Sequence, residues 1–323
     1  MCIIYDKPFM TYDELIKQLI EKRELEILNK EQAIQWLKAF SYYDLITGTK
    51  ECFRNGDKYK KNVTLEKIID FNFFDKNFQN ILFKYSVYVE NIYKTNISYL
   101  ISKNYGVHQD KYLKKSNFNY NSLNEWKLNE VLSNIKNSIS TNDQPTKHYN
   151  DNHNHIPAWI LFKNVRFTDV IDLFIYLQYG EKIEITDEYI KERVISNKDK
   201  IELMRASLTI VRKFRNKIAH NSKVITYRSE KNAELHQDTI LKIFPSFFVT
   251  KNDKNKKRGR NDLFAMIISL IILLKENFFI KNMLLELIAL VENFEEVASD
   301  YLEVTKLPRN LKERMEKLFE LYK

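Results

Sequence analysis

Apolar residues recur at three- and four-residue intervals through most of this chain, the period of helices that each bury one face. Between Thr64 and Asn104, Leu65, Ile68, Ile69, Phe73, Phe74, Phe78, Ile81, Leu82, Tyr85, Val89, Ile92 and Ile97 keep that interval without a proline, which predicts one or two long amphipathic helices. Glu90 falls inside this run, either solvated or paired with a basic neighbour. Leu203, Met204, Leu208, Ile210, Val211, Phe214 and Ile218 predict a further core-facing helix, and this one carries Arg215, Asn216 and His220 at its end. Leu263 to Leu274 is uncharged and almost wholly apolar. It is shorter than the ~20 residues that span a bilayer, so it is expected as a buried core helix.

Shorter elements follow from local signals. Thr11-Tyr12-Asp13-Glu14 has the form of a capping box ahead of Leu15, Ile16, Leu19 and Ile20, and a second helix is expected from about Lys30 to Phe40. Two short helices joined by a polar turn admit a helix-turn-helix, but are more commonly packing elements. Gly48 to Asn62 is rich in turn residues. Ser116 to Gln144 is rich in Asn and Ser, and is expected as a mobile surface excursion with a short helix around Trp126 to Ile139. Trp159 to Tyr179 is helical in pattern, with Lys163, Arg166 and Asp169 on its outer face. Lys223 to Tyr227 and Ile240 to Phe244 are β-branched and aromatic enough for a short hairpin. Lys281 to Thr305 and Asn310 to Tyr322 close the chain as amphipathic helices around Leu307-Pro308.

Only five glycines and five prolines interrupt 323 residues, of which 44% are apolar. Sparse breaking over long Leu/Ile/Lys/Glu-rich runs predicts an all-α protein with a substantial core. Cys2 and Cys52 are too few for a disulfide framework and lack a Cys-x-x-Cys spacing, and Met1 to Asp6 has no basic region ahead of an apolar stretch. A cytoplasmic protein without a membrane anchor is expected. The net charge of +9, from 52 basic and 43 acidic residues, suits a polyanionic partner without demanding one. Aromatic content of 13% adds little, because the excess of Lys, Asn, Ile, Phe and Tyr is the mark of an AT-rich genome.

The chemistry concentrates in Val211 to Asn221. A histidine takes and returns a proton near neutral pH, an arginine stabilises a phosphoryl group in its transition state, and a carboxamide holds either in position. Together these groups suit cleavage of RNA without a metal. At ~100° per residue Asn216 and His220 share a face, but Arg215 and His220 diverge by about 140°. Arg215 must bend round, or the helix must loosen near Asn221-Ser222, or a second copy must supply the missing group. Downstream, six of the ten residues Lys251 to Arg260 are basic. Lys254, Lys256, Lys257, Arg258 and Arg260, with Arg212 on the helix, are the candidate phosphate contacts, against the plainer reading of a solvated loop. His148, His153 and His155 with Asp151 have suggestive metal-ligand spacing but no evident fourth ligand, in a polar stretch expected as loop; no metal and no small-molecule cofactor is expected.

Arg215-Asn216 followed by three residues and His220 resembles the R-N-x-x-x-H form of the Arg-x4–6-His motif of HEPN-domain ribonucleases. Tyr42 to Gly48 (YYDLITG), Phe71 to Phe78 (FNFFDKNF) and Ile156 to Trp159 (IPAW) resemble, in the same order, segments of the Abi-like family of AbiD and AbiF abortive-infection proteins. Arg260 to Ala265 (RNDLFA) resembles a stretch of the AbiF branch, so the similarity runs from about Gln35 to about Leu274. Thr168-Asp169 replaces the small turn residue usual there, and Ser222-Lys223-Val224 the aromatic and arginine residues usual after the histidine.

The resemblance implies a HEPN-type helical bundle over residues 56–323 behind a small N-terminal helical unit over 1–55. It implies an endoribonuclease leaving 2′,3′-cyclic phosphates, with Arg215, Asn216 and His220 catalytic. It also implies antiphage growth arrest of toxin–antitoxin character, association with a structured small non-coding RNA, and a homodimer that joins two motif sets in one composite site. The HEPN halves of type VI CRISPR effectors point the same way. Two other classes stay open: a non-catalytic RNA-binding protein of a defence ribonucleoprotein, and a structural interaction module that assembles through its apolar C-terminal helices.

Overall fold

The computed structural model describes residues 7–191, 194–230 and 233–322. Met1 to Asp6, the stretch that bears on a secretory signal, lies outside them, and Cys2 with it. In chain order the α-helices are α1 (Tyr12–Glu21), α2 (Lys30–Ala39), α3 (Lys50–Phe53), α4 (Leu65–Tyr105), α5 (Gln109–Tyr112), α6 (Glu125–Asn137), α7 (Thr146–Asn152), α8 (Ala158–Asn164) and α9 (Phe167–Tyr176). They continue as α10 (Tyr179–Asp187), α11 (Asn197–Ala219), α12 (Gln237–Ile243), α13 (Lys251–Asn255), α14 (Leu263–Leu274), α15 (Asn277–Asn293), α16 (Glu295–Thr305) and α17 (Leu311–Leu321). The chain is all-α as expected, and the long apolar run from Thr64 is the single helix α4.

The contacts divide the chain into two compact units, one formed by residues 1–78 with 290–304, the other by 79–289 with 305–323. In the first, Thr11 caps α1 through the reciprocal bonds with Glu14 expected from its sequence. Tyr301 is the centre of an aromatic cluster with Phe71, Phe74 and Phe78, at ring-centroid separations of 4.9–5.5 Å. Its buried hydroxyl donates to Asp75 Oδ1 at 2.8 Å, which satisfies a polar group that burial would otherwise penalise. Cys52 is buried in the same unit.

In the second unit every residue of α14 is buried, and α11 packs along it. A helix apolar on all sides has no solvent face to offer, so it serves as the core element against which α11 lays its apolar face. Asp262 caps α14, accepting from Ala265 N at 2.9 Å and Gly259 N at 3.0 Å. Gly259 has φ +74°, and a Cβ there would meet Ile268 and Phe264 side chains at 3.0–3.1 Å, so the turn into α14 requires glycine. α9 and α10 also pack on α11, and α6 packs on α9.

Several expectations are corrected. The short hairpin lies at Arg54–Asn55 and Lys58–Tyr59, ahead of α4, whereas Ile240 to Phe244 ends helix α12, with Ile240 buried. The short helix expected in the Asn/Ser-rich stretch is α6, and it is no surface excursion, since Leu128, Val131, Leu132 and Ile135 are buried. The pattern from Trp159 is two helices, broken at Val165 in extended conformation. Asp169 is not on an outer face but 3% exposed, held by Arg166 Nε at 2.8 Å. His148 lies within α7 rather than a loop, and no group of three or more His, Cys, Asp or Glu side chains among the described residues is placed to hold a metal ion. No helix of the described residues is long and apolar enough to cross a membrane.

Candidate functional site

α11 stops at Ala219 because the backbone closes on itself. Asn221 adopts a left-handed φ of +50°, its N–H donates to Ile218 O at 2.9 Å, and Ser222 N–H donates to Lys217 O at 2.9 Å. This is the paired-bond termination in which a residue of positive φ follows the cap, and asparagine is the residue other than glycine that best tolerates it. The helix thus closes at Asn221-Ser222, and among the described residues no hydrogen bond, ion pair or ring contact joins His220 to Arg215. His220 becomes the cap, with φ −92° and ψ 17°, and its exposed side chain leaves the regular helix. The imidazole makes no hydrogen bond to another described residue, so both nitrogens remain available.

Arg215 is treated differently. Its guanidinium lies between the motif helix and α4, with an amino nitrogen 3.4 Å from Glu90 Oε2, and its carbon stands 5.9 Å from the Phe83 ring centroid. Another amino nitrogen donates to Asn216 Oδ1 at 3.1 Å, and the buried Nε is without a partner. The Asn216 side chain thus supports Arg215 rather than the histidine, while its backbone carbonyl accepts from His220 N at 3.1 Å. Glu90 also binds Lys94 Nζ through Oε1 at 2.7 Å, and both side chains are more than four-fifths buried. Lys94 is the residue that sequence reasoning missed. The signal was present, since a lysine four residues after a glutamate on one helix faces it.

Arg212, about one turn before Arg215, donates to Thr168 Oγ1 at 3.2 Å and keeps its Nε buried without a partner. Lys213 pairs with Glu230 at 2.7 Å, and Lys217 stands 5.3 Å over the Tyr227 ring. The stretch after His220 is tied to the end of the basic segment: Ser229 N donates to Asn261 O and Leu235 N to Arg260 O, both at 2.8 Å.

The basic segment itself divides. Arg258 binds the fully buried Asp253 at 2.9 Å, Lys254 pairs with Asp238, and Arg260 with Glu234. Asp253 also receives Arg314 at 2.6 Å, tying α17 to this turn. Burial pushes the Asp253 carboxyl up, but hydrogen bonds from Arg314, Thr250 and Arg258 outweigh it and hold it below the usual aspartate range. Lys256 and Lys257, with Lys251, are exposed. Of the five candidate phosphate contacts in this segment, three thus have structural partners and Lys256 and Lys257 face solvent.

These features define an all-helical protein that presents an arginine, a carboxamide and an exposed histidine at the capped end of a core helix. The chain belongs to the family of Abi-like proteins, whose profile matches residues 35–226 and so spans the motif. Family membership suggests a role in abortive infection, a form of defence. No curated protein and no solved structure shows significant similarity to the chain.

Proposed function

We propose that this Abi-like protein is a HEPN-type endoribonuclease of AbiF character that cleaves RNA without a metal in antiphage defence. The observation that carries the reading is the contrast within one motif. Arg215 is braced by Glu90 and Asn216, while His220, four residues beyond Asn216, is exposed and makes no hydrogen bond to another described residue. A phosphate taking the place of Glu90 on Arg215 would have its developing charge stabilised by the guanidinium.

The reaction divides between two copies of the motif in a homodimer. One His220 accepts the 2′-hydroxyl proton as the 2′-oxygen attacks phosphorus, and the partner copy's imidazole donates a proton to the departing 5′-oxygen. Arg215 stabilises the pentacoordinate phosphorane and Asn216 positions Arg215. The products are a 2′,3′-cyclic phosphate and a 5′-hydroxyl. The exposed Lys251, Lys256 and Lys257 contribute to phosphate binding, and a structured small RNA is the expected resident partner.

The test is cleavage of diverse single-stranded RNAs, with EDTA present, by protein stripped of bound nucleic acid. Cyclic phosphate ends are expected from the wild type, with a loss of about 10²–10⁴-fold in His220→Ala. Wild-type protein that leaves every RNA intact, or His220→Ala that cuts equally well, would replace this reading with a non-catalytic RNA-binding protein.

A further inference from the structure

A groove of about 360 Å³ lies between α6 and α9, and Arg215, Asn216 and His220 are not among its lining residues. Such a volume suits a small ligand. Trp126 stands on its rim 60% exposed, and Lys127 Nζ lies 5.2 Å from its ring centroid, so a cation already rests on this aromatic face. Tyr176 is only 4% exposed and lines the groove, and its hydroxyl, unpaired among the described residues, is accessible there to solvent or a ligand.

The carboxylates of the groove differ in the same way. Asp169 is fully engaged, by Arg166 at 2.8 and 3.1 Å and by Asn134 at 3.1 Å. Asp172 and Glu130 make no hydrogen bond or ion pair to a described residue, and Arg212, which faces Asp172, donates to Thr168 instead. Burial pushes the Asp172 carboxyl up, with Arg212 opposing and Asp169 and Glu130 reinforcing; burial, then the neighbouring carboxylates of Asp172 and Glu130, push Tyr176 up as well. Positive charge between them would relieve both. A divalent metal would want three or more converging ligands, and no such set of His, Cys, Asp or Glu exists among the described residues.

We propose that the α6–α9 groove binds a small organic cation of alkylammonium or guanidinium type, with Trp126 against its charged face, Asp172 and Glu130 as counter-charges, and the Tyr176 hydroxyl as an acceptor. This goes beyond the RNA-cleavage reading and does not depend on it. On a chain of net charge +9 there is no general attraction for cations, so binding must come from a local site.

The experiment is calorimetric titration of the full chain, freed of nucleic acid, with spermidine and with agmatine, and in parallel with magnesium chloride. One-to-one saturable binding of at least one amine is expected, weakened tenfold or more by Asp172→Asn and by Trp126→Ala, and tightened by Lys127→Ala, which clears the ring. Trp126 is exposed, so its variant folds whatever becomes of Asp172→Asn. Absence of saturable binding up to millimolar amine, equal affinity in Trp126→Ala, or displacement of the amine by an equal concentration of magnesium would overturn the proposal.

Discussion

Glu90 holds Arg215 and Lys94 through its two carboxylate oxygens, at 3.4 and 2.7 Å, so the candidate catalytic arginine shares its counter-ion with a buried lysine. Removing one partner of such a pair leaves an uncompensated charge in a poorly solvated place. Glu90→Gln is therefore expected to lower stability by about 3 kcal/mol in urea denaturation. Replacing Glu90 and Lys94 together by leucine should recover most of that deficit. A single variant as stable as wild type would show the pair to be solvated.

The helix end makes a separate prediction. Asn221 has φ +50°, which asparagine tolerates better than alanine, so Asn221→Ala is expected to cost roughly 1 kcal/mol in backbone strain that Asn221→Gly, with no β-carbon, does not incur. If the termination positions His220, RNA cleavage falls in the alanine variant and is retained in the glycine variant. Thermal melts and cleavage rates on the same samples separate the two effects.

The lysines and arginines of residues 251–260 should behave as two groups. Neutralising Lys251, Lys256 and Lys257 is expected to leave the melting temperature unchanged and to flatten the logarithmic salt dependence of RNA binding by roughly 0.7–0.9 for each phosphate no longer neutralised. Arg258→Ala instead removes a partner of the buried Asp253 and should destabilise the fold. An unchanged salt slope in the triple variant would make these lysines ordinary solvated side chains.

Asp253 also predicts a pH dependence. Its carboxyl is held below the usual range, so the native state binds its proton less readily than the unfolded chain does. Its contribution is present above the unfolded value near ~3.9 and disappears as pH falls through the lower folded value. In Asp253→Asn the acid-induced drop in stability between about pH 5 and 2 should be smaller than in wild type, from a lower starting stability. Equal acid sensitivity in the two would assign that drop to other groups.

A composite site has a consequence for mass. Light scattering of the RNA-loaded protein should report a protein mass near twice 38.9 kDa. A monomer in both the free and the loaded state is incompatible with two motifs sharing one phosphate.

Much of this arrangement was legible in the sequence because its largest elements follow periodicity. α4, α11 and α14 bury stripes or whole surfaces that the spacing of Leu, Ile and Phe displays directly. The motif residues stood out for the same reason, as polar groups on a core-facing helix. The pairing of Arg215 with Glu90 was not legible, because it joins distant parts of the chain through tertiary packing. Ile240 to Phe244 misled for a related reason: β-branched residues accept a strand or a buried helix turn, and the neighbours decide. Asp169 was misplaced because a charged residue within a helix normally faces water, and only Arg166 and Asn134 make its burial tolerable.

Because the bonds from Asn221 to Ile218 and from Ser222 to Lys217 seal α11 from within its own backbone, the location of His220 relative to that helix is indifferent to whatever chain comes next. The departing segment is anchored by other means, with Val224 and Ile225 buried and Tyr227 against Phe214, so a change there would disturb packing beside α11 while the bonds that close the helix stay in place.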